Sequence, residues 1–146
     1  MIKNLQVNSG SNIKIDKKLI HILVRKLKLE LDFDIVSLII NFISSEQILE
    51  INNIYLNHNF TTDIITFNYS GNYENLDGEL FISAQDALEN AKKYKVKLNE
   101  EYFRLVIHGI LHLLNYDDQN KNAKLVMKRL ENKLVKLTTK ELLNKN

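Results

Sequence analysis

His108, His112 and Asp118 stand at i, i+4 and i+10 in the stretch His108-Gly-Ile-Leu-His112-Leu-Leu-Asn-Tyr-Asp-Asp118. Residues four apart on a helix share a face one turn apart, so the two imidazoles can reach one point in space. A ligand ten positions on returns to that point only if the helix stops and the chain turns back. Asn115 and Tyr116 fall where that turn must lie, and Asn tolerates a left-handed backbone better than other non-glycine residues. Two imidazoles and a carboxylate form a competent zinc set, and three protein ligands leave the fourth tetrahedral position open for catalysis. One Zn²⁺ held by His108, His112 and Asp118 is therefore expected. Sites of this type also accept other divalent ions, so the residues do not fix the native metal.

The helix that must carry the histidines is unusual. Tyr102, Phe103, Val106, Ile107, Ile110, Leu111, Leu113 and Leu114 cover most of its circumference, so it is expected to run through the core. Its one polar stripe is Arg104, His108 and His112. Imidazoles on such a helix need partners, because an unpaired buried polar group costs ~1–3 kcal/mol. A metal supplies them; core carbonyls or water are the alternative. Asn99 is the expected N-cap, with the helix beginning near Glu100.

Other elements follow from pattern. Ile2 to Val7 reads as a strand. Asp16 caps a helix of about Lys17 to Leu29, with an apolar stripe of Ile20, Leu23, Val24 and Leu27. Ile35 to Ser44 is a continuous β-branched run and reads as a buried strand. Ser45 opens a helix to about Tyr55. Ile64 to Phe67 and Glu79 to Ser83 are two further strands flanking a Gly-containing loop. Ser83 caps a helix with the stripe Ala84, Ala87, Leu88, Ala91 and Tyr94. A last helix starts near Asn122 and buries Met127, Leu130, Leu134 and Leu137. The sum is an α+β fold, a small mixed sheet layered with helices.

The 146 residues fit one domain with no linker or repeat. With no cysteine, disulfides and thiolate metal sites are excluded. No apolar run approaches the ~18 residues of a membrane span, and the first residues lack the layout of a secretory signal, so a cytoplasmic location is expected. Net charge is only +2, but Lys121 to Asn146 holds eight basic residues against Glu131 and Glu141. Such a segment suits a phosphate-bearing substrate or a ribosomal surface, or is simply a solvated helix face.

The i, i+4, i+10 spacing also occurs in the H-E-x-x-H-x-x-G-x-x-H zinc proteases, whose Glu is the general base. Gly109 occupies that position here, so a peptidase would lack its base. Gly109 is expected to leave room beside the metal for a phosphodiester. The segment resembles the H-G-x-L-H-L-x-G-Y-D-H signature of the YbeY family of endoribonucleases, through His108, Gly109, Leu111, His112, Leu113, Tyr116 and Asp117. A second block, L-N-x-x-Y-R-x-x-D-x-P-T-D-V-L-S-F, aligns with Ile51 to Phe67 through Asn52, Tyr55, Thr62, Asp63 and Phe67. The family's G-D-I strand corresponds to Gly78-Glu79-Leu80, and the likeness runs from about Ile35 to Leu137. Asp118 replaces the signature's last His, Asn115 its Gly, and Leu56 the Arg of the second block. Asp118 reads as a swapped ligand, with Asp117 the rival.

The resemblance implies a single zincin-like domain over residues 1–146. It implies a single-strand-specific, zinc-dependent endoribonuclease that matures the 3′ end of 16S ribosomal RNA and serves ribosome quality control. RNA and the small ribosomal subunit would be its partners. No general base is obvious. Asp63, Asp117 and Glu79 are the acidic candidates, while Arg104 and His58 are candidates for phosphate charge. Arg104 could equally pair with Glu100 or Glu101, and His21 reads as structural. A ribosome-assembly factor with structural zinc and a metallopeptidase remain as alternatives.

Overall fold

The computed structural model describes residues 1–56 and 62–143. Its elements run β1 (Leu5–Ser9), α1 (Lys17–Leu31), β2 (Asp34–Ile43), α2 (Ser45–Tyr55), β3 (Ile64–Asn68), β4 (Asn75–Ser83), α3 (Ala84–Tyr94), α4 (Leu98–Leu113) and α5 (Lys121–Thr138). A short π-helical turn, Thr139–Leu143, follows. The strands form one mixed sheet in the order β1-β2-β4-β3. β1 and β4 run parallel to β2, and β3 runs antiparallel to β4. The expected α+β sheet layered with helices is therefore present. Among the described residues no helix is long and apolar enough to cross a membrane.

Helix starts follow local chemistry. Asp16 accepts a hydrogen bond from the Leu19 amide, and Ser83 accepts one from the Asp86 amide. Ser44 and Gln47 form a reciprocal capping box at α2, one residue before the expected start. Asn99 does not cap α4. The cap position is Lys97, with no side-chain bond, and the helix begins at Leu98, which packs against the core. Glu100 and Glu101 in its first turn complement the helix dipole instead. On α3 only Ala87 and Ala91 are buried, while Leu88 and Tyr94 of the expected stripe are exposed. Small residues there seat α3 beneath its neighbours, and Tyr94 turns outward.

α4 runs through the core as its composition requires. Tyr102, Phe103, Val106, Ile107, Ile110, Leu111 and Leu113 are buried. Strand alternation decides which side of the sheet it meets. Gly78, Leu80 and Ile82 of β4 are buried, and Cβ positions built on Gly78 and Gly109 would touch Leu113 and Leu80 respectively. The α4 side of the sheet is thus the core side. Glu79 points the other way, where its carboxylate accepts from Asn41 Nδ2 at 2.7 Å and Tyr69 Oη at 2.7 Å.

Gly109 has a packing role, contrary to the expectation that it clears space beside a metal. A Cβ there would lie 2.9 Å from Ile64 Cδ1 and from both Leu80 Cδ atoms. Its bare backbone lets α4 sit directly on Ile64 of β3 and Leu80 of β4. Gly78 is tighter still, since a Cβ would lie 2.6 Å from the Phe67 carbonyl oxygen and 3.0 Å from Leu113. A backbone oxygen cannot swing aside like a side-chain end. Gly78→Ala is therefore expected to force β3 from β4 and lower stability by ~1–3 kcal/mol, as overpacking does, read as a lower urea midpoint. An unchanged midpoint would remove Gly78 from the packing account.

Candidate metal centre

Two turns of α4 bring the histidines together. His108 and His112 have ring centroids 4.7 Å apart at 74°, and their Nε2 atoms are 3.2 Å apart. Two nitrogens bound at ~2.0–2.1 Å to one tetrahedral ion would stand about 3.3–3.4 Å apart. The observed separation is close to that spacing, so the pair fits a shared metal. Burial, then the neighbouring His108, lowers the pKa of His112, against the opposing pull of Asp118 and Asp117. A neutral imidazole is the form that ligates metal.

α4 ends as the spacing demands. Asn115 takes the left-handed conformation at φ 75°, and the Tyr116 amide donates back to the Leu111 carbonyl at 3.0 Å. The chain then turns into α5, whose N-cap Asn120 accepts from the Ala123 amide. Asp118 lines the same cleft as His108. Asp117 is committed locally, its Oδ1 accepting from the Gln119 amide at 3.2 Å. Among the described residues no three His, Cys, Asp or Glu side chains converge as a ready-made metal set. The histidines are thus paired, with Asp118 on the wall of the cleft that His108 lines rather than against them.

The cleft encloses about 550 Å³ between α3, α4 and α5. Its walls include Asp63, Asn90, Tyr94, Glu101, Arg104, His108, Asp118, Lys124, Lys128 and Glu131. Asp63 is fixed by its own backbone, since its carbonyl accepts from the Ser83 amide at the end of β4. Asn90 Nδ2 reaches both Asp63 Oδ2 at 3.4 Å and Glu101 Oε2 at 3.3 Å. Burial raises the pKa of Asp63 above the ordinary carboxylate range, although His108 and Asn90 pull the other way. Burial likewise raises that of Glu101. Burial thus makes both carboxyl groups hold a proton more readily than an exposed acid does.

Arg104 does not pair with Glu100 or Glu101. Its Nη1 donates to Glu131 Oε2 at 2.8 Å and to Asn132 Oδ1 at 2.9 Å. Glu131 Oε1 lies 2.6 Å from His108 Nδ1. Burial pushes the Glu131 carboxyl upward, but the contacts to His108 and Arg104 prevail and hold it low. Sequence reasoning passed over Glu131 as a stray acid in a basic segment. Its partners are 23 and 27 positions away. The spacing on α5, with Met127, Glu131, Leu134 and Val135 buried on one side, was the only available signal.

The remaining candidates fall elsewhere. Glu79 is engaged on the far face of the sheet and is not a base for this cleft. His58 lies outside the described residues. Leu56 ends α2 as its C-cap residue. His21 is buried, and its Nδ1 accepts from the Ile2 amide at 3.3 Å, a structural placement.

Comparison with known proteins agrees with this architecture. The solution structure of TM1509 from Thermotoga maritima superposes with a TM-score of 0.67 over 94% of this chain and 90% of its own, at 24% identity, which speaks to the fold. Proteins named Endoribonuclease YbeY are similar in sequence. The one from Parabacteroides distasonis is 42% identical over 101 residues, 68% of this chain and 70% of its own length. That from Azobacteroides pseudotrichonymphae is 46% identical over 92 residues, 63% of this chain and 66% of its own. That from Chlorobium limicola is 39% identical over 99 residues, 68% of each. The family model described as Endoribonuclease YbeY matches residues 2–139. The chain belongs to the endoribonuclease YbeY family, hydrolases that cut RNA at internal phosphodiester bonds.

Proposed function

We propose that the chain is a zinc-dependent endoribonuclease of single-stranded RNA, acting in the cytoplasm on precursor ribosomal RNA. The 3′ end of the small-subunit 16S species is the substrate, ribosome quality control is a second role, and the small ribosomal subunit is the partner. The observation that carries this reading is the 3.2 Å approach of two Nε2 atoms at a cleft that His108 and Asp118 both line. His108, His112 and Asp118 would hold the ion, which when bound supplies Lewis-acid stabilisation of charge on the phosphoryl group. Asp117 is the weaker choice because its carboxylate already closes a turn.

The protein's own residues divide the remaining work. Asp63, half-buried on the cleft wall with its pKa raised, is placed to hold or take a proton. Arg104 contributes little to phosphate binding, because Glu131 and Asn132 engage its guanidinium. Lys124 and Lys128 line the cleft from α5 and face the phosphates. Between Lys28 and Lys92 the chain has no Lys or Arg, so β2, β3, β4 and α2 offer no cation to the strand. The RNA backbone therefore tracks α5 rather than the sheet. Tyr94, exposed and lining the cleft, offers a ring on which an unpaired base can stack.

Metal content measured by mass spectrometry, alongside cleavage of a ribosomal RNA fragment, tests the reading. Wild type is expected to carry about one zinc per chain and to cut, following the three-ligand site of a catalytic zinc. His112→Ala and Asp118→Ala are expected to lose both, and Asp63→Asn to keep zinc but lose ~10²–10⁴ in rate, the usual worth of acid–base help. Zinc-loaded protein that binds ribosomes without cutting would instead favour an assembly factor, and cleavage of casein a peptidase. For single-stranded RNA, Lys124→Ala is expected to weaken binding severalfold and to reduce the salt slope of log K by ~0.7, one phosphate contact. An unaltered slope would take Lys124 off the RNA path.

A further inference from the structure

His108 can take metal only if its Nε2 carries a lone pair rather than a proton, and nothing on α4 settles that choice. We propose that Glu131 is a positioning residue for the metal centre: its buried carboxylate holds the Nδ1 proton of His108 and so fixes the tautomer that presents Nε2 toward His112. The inference rests on the zinc reading above, but its structural half concerns the metal-free protein.

A neutral imidazole has one donor nitrogen and one acceptor nitrogen, whereas an ionised carboxylate only accepts. At 2.6 Å from Glu131 Oε1, His108 Nδ1 must be the donor. The lone pair then resides on Nε2, which faces His112 Nε2 at 3.2 Å. The contact is short, as charge-assisted hydrogen bonds are.

The carboxylate is itself held. Its other oxygen accepts from Arg104 Nη1 at 2.8 Å and lies 3.5 Å from Lys128 Nζ. Because the two oxygens serve different partners, the carboxylate cannot rotate without breaking one contact. Only 5% of the Glu131 side chain is exposed, and both oxygens are engaged, so Glu131 is not free to act as a base on substrate. Arg104, one turn before His108 on the same stripe, is thereby assigned to anchoring Glu131 rather than to binding phosphate. Ligand histidines commonly depend on such an outer carboxylate for ring orientation and tautomer.

Two readouts test this on the full chain: Zn²⁺ affinity by competition with a chromogenic chelator, and imidazole ¹⁵N signals of metal-free protein. The His108 signals are identified by their loss in His108→Gln. Glu131→Gln preserves size but offers His108 both a donor and an acceptor. It is expected to weaken Zn²⁺ binding 10–100-fold and to move His108 from a single Nδ1–H tautomer to a mixture. Leu134→Ala, which empties a buried core position one turn along α5, is expected to lower the urea midpoint while leaving both readouts as in wild type. Unchanged His108 signals in Glu131→Gln, affinity within twofold of wild type, or an equal loss of affinity in Leu134→Ala would each overturn the proposal. If wild type binds no Zn²⁺, the zinc reading fails, and the nitrogen signals alone decide the role of Glu131.

Discussion

Helix α4 has almost no side that water can reach, and the rest of the site follows from that constraint. Its apolar residues are buried around most of the circumference, and Gly109 lets its backbone settle onto Ile64 and Leu80. Beyond its first turn, only the stripe of Arg104, His108 and His112 is left partly open. Those three polar groups must find partners in whatever covers them, because unmatched burial is costly. α5 provides Glu131 for two of them. The histidines face each other through Nε2, which is the arrangement a shared cation would exploit.

The cleft is electrostatically divided. Asp63, Glu101, Asp118 and Glu131 line it together with Arg104, Lys124 and Lys128. An anionic substrate would be repelled by the carboxylates unless their charge were offset. Arg104 offsets Glu131, and burial works against ionisation of Asp63 and Glu101. A bound divalent ion would add the positive charge that the side chains near His108 lack. No Lys or Arg stands between Lys28 and Lys92, and the cations on the cleft wall come from α4 and α5.

Much of this was legible in the residues. Period and β-branching marked all four strands and the five helices to within a few positions, and Asp16 and Ser83 marked their helices' starts. Asn115 was readable as the end of α4 because its side chain is one of the few that tolerates positive φ. What escaped were features set by distant neighbours. Gly109 read as space near a ligand, yet its reason is a strand packed against it. Glu131 read as one acid in a basic segment, yet its partners come from another helix. Leu88 and Tyr94 matched a helical stripe, but α3 buries only its alanines. Glu79 shares a strand with core residues, and only the side of α4 contact shows that it faces away.

The central claim is that His108 and His112 bind one metal through Nε2. X-ray absorption at the zinc edge of the loaded protein tests it most directly. The account predicts a four-coordinate shell at ~2.0–2.1 Å with the outer scattering of two imidazole rings. A shell of oxygen alone, without imidazole scattering, would contradict it.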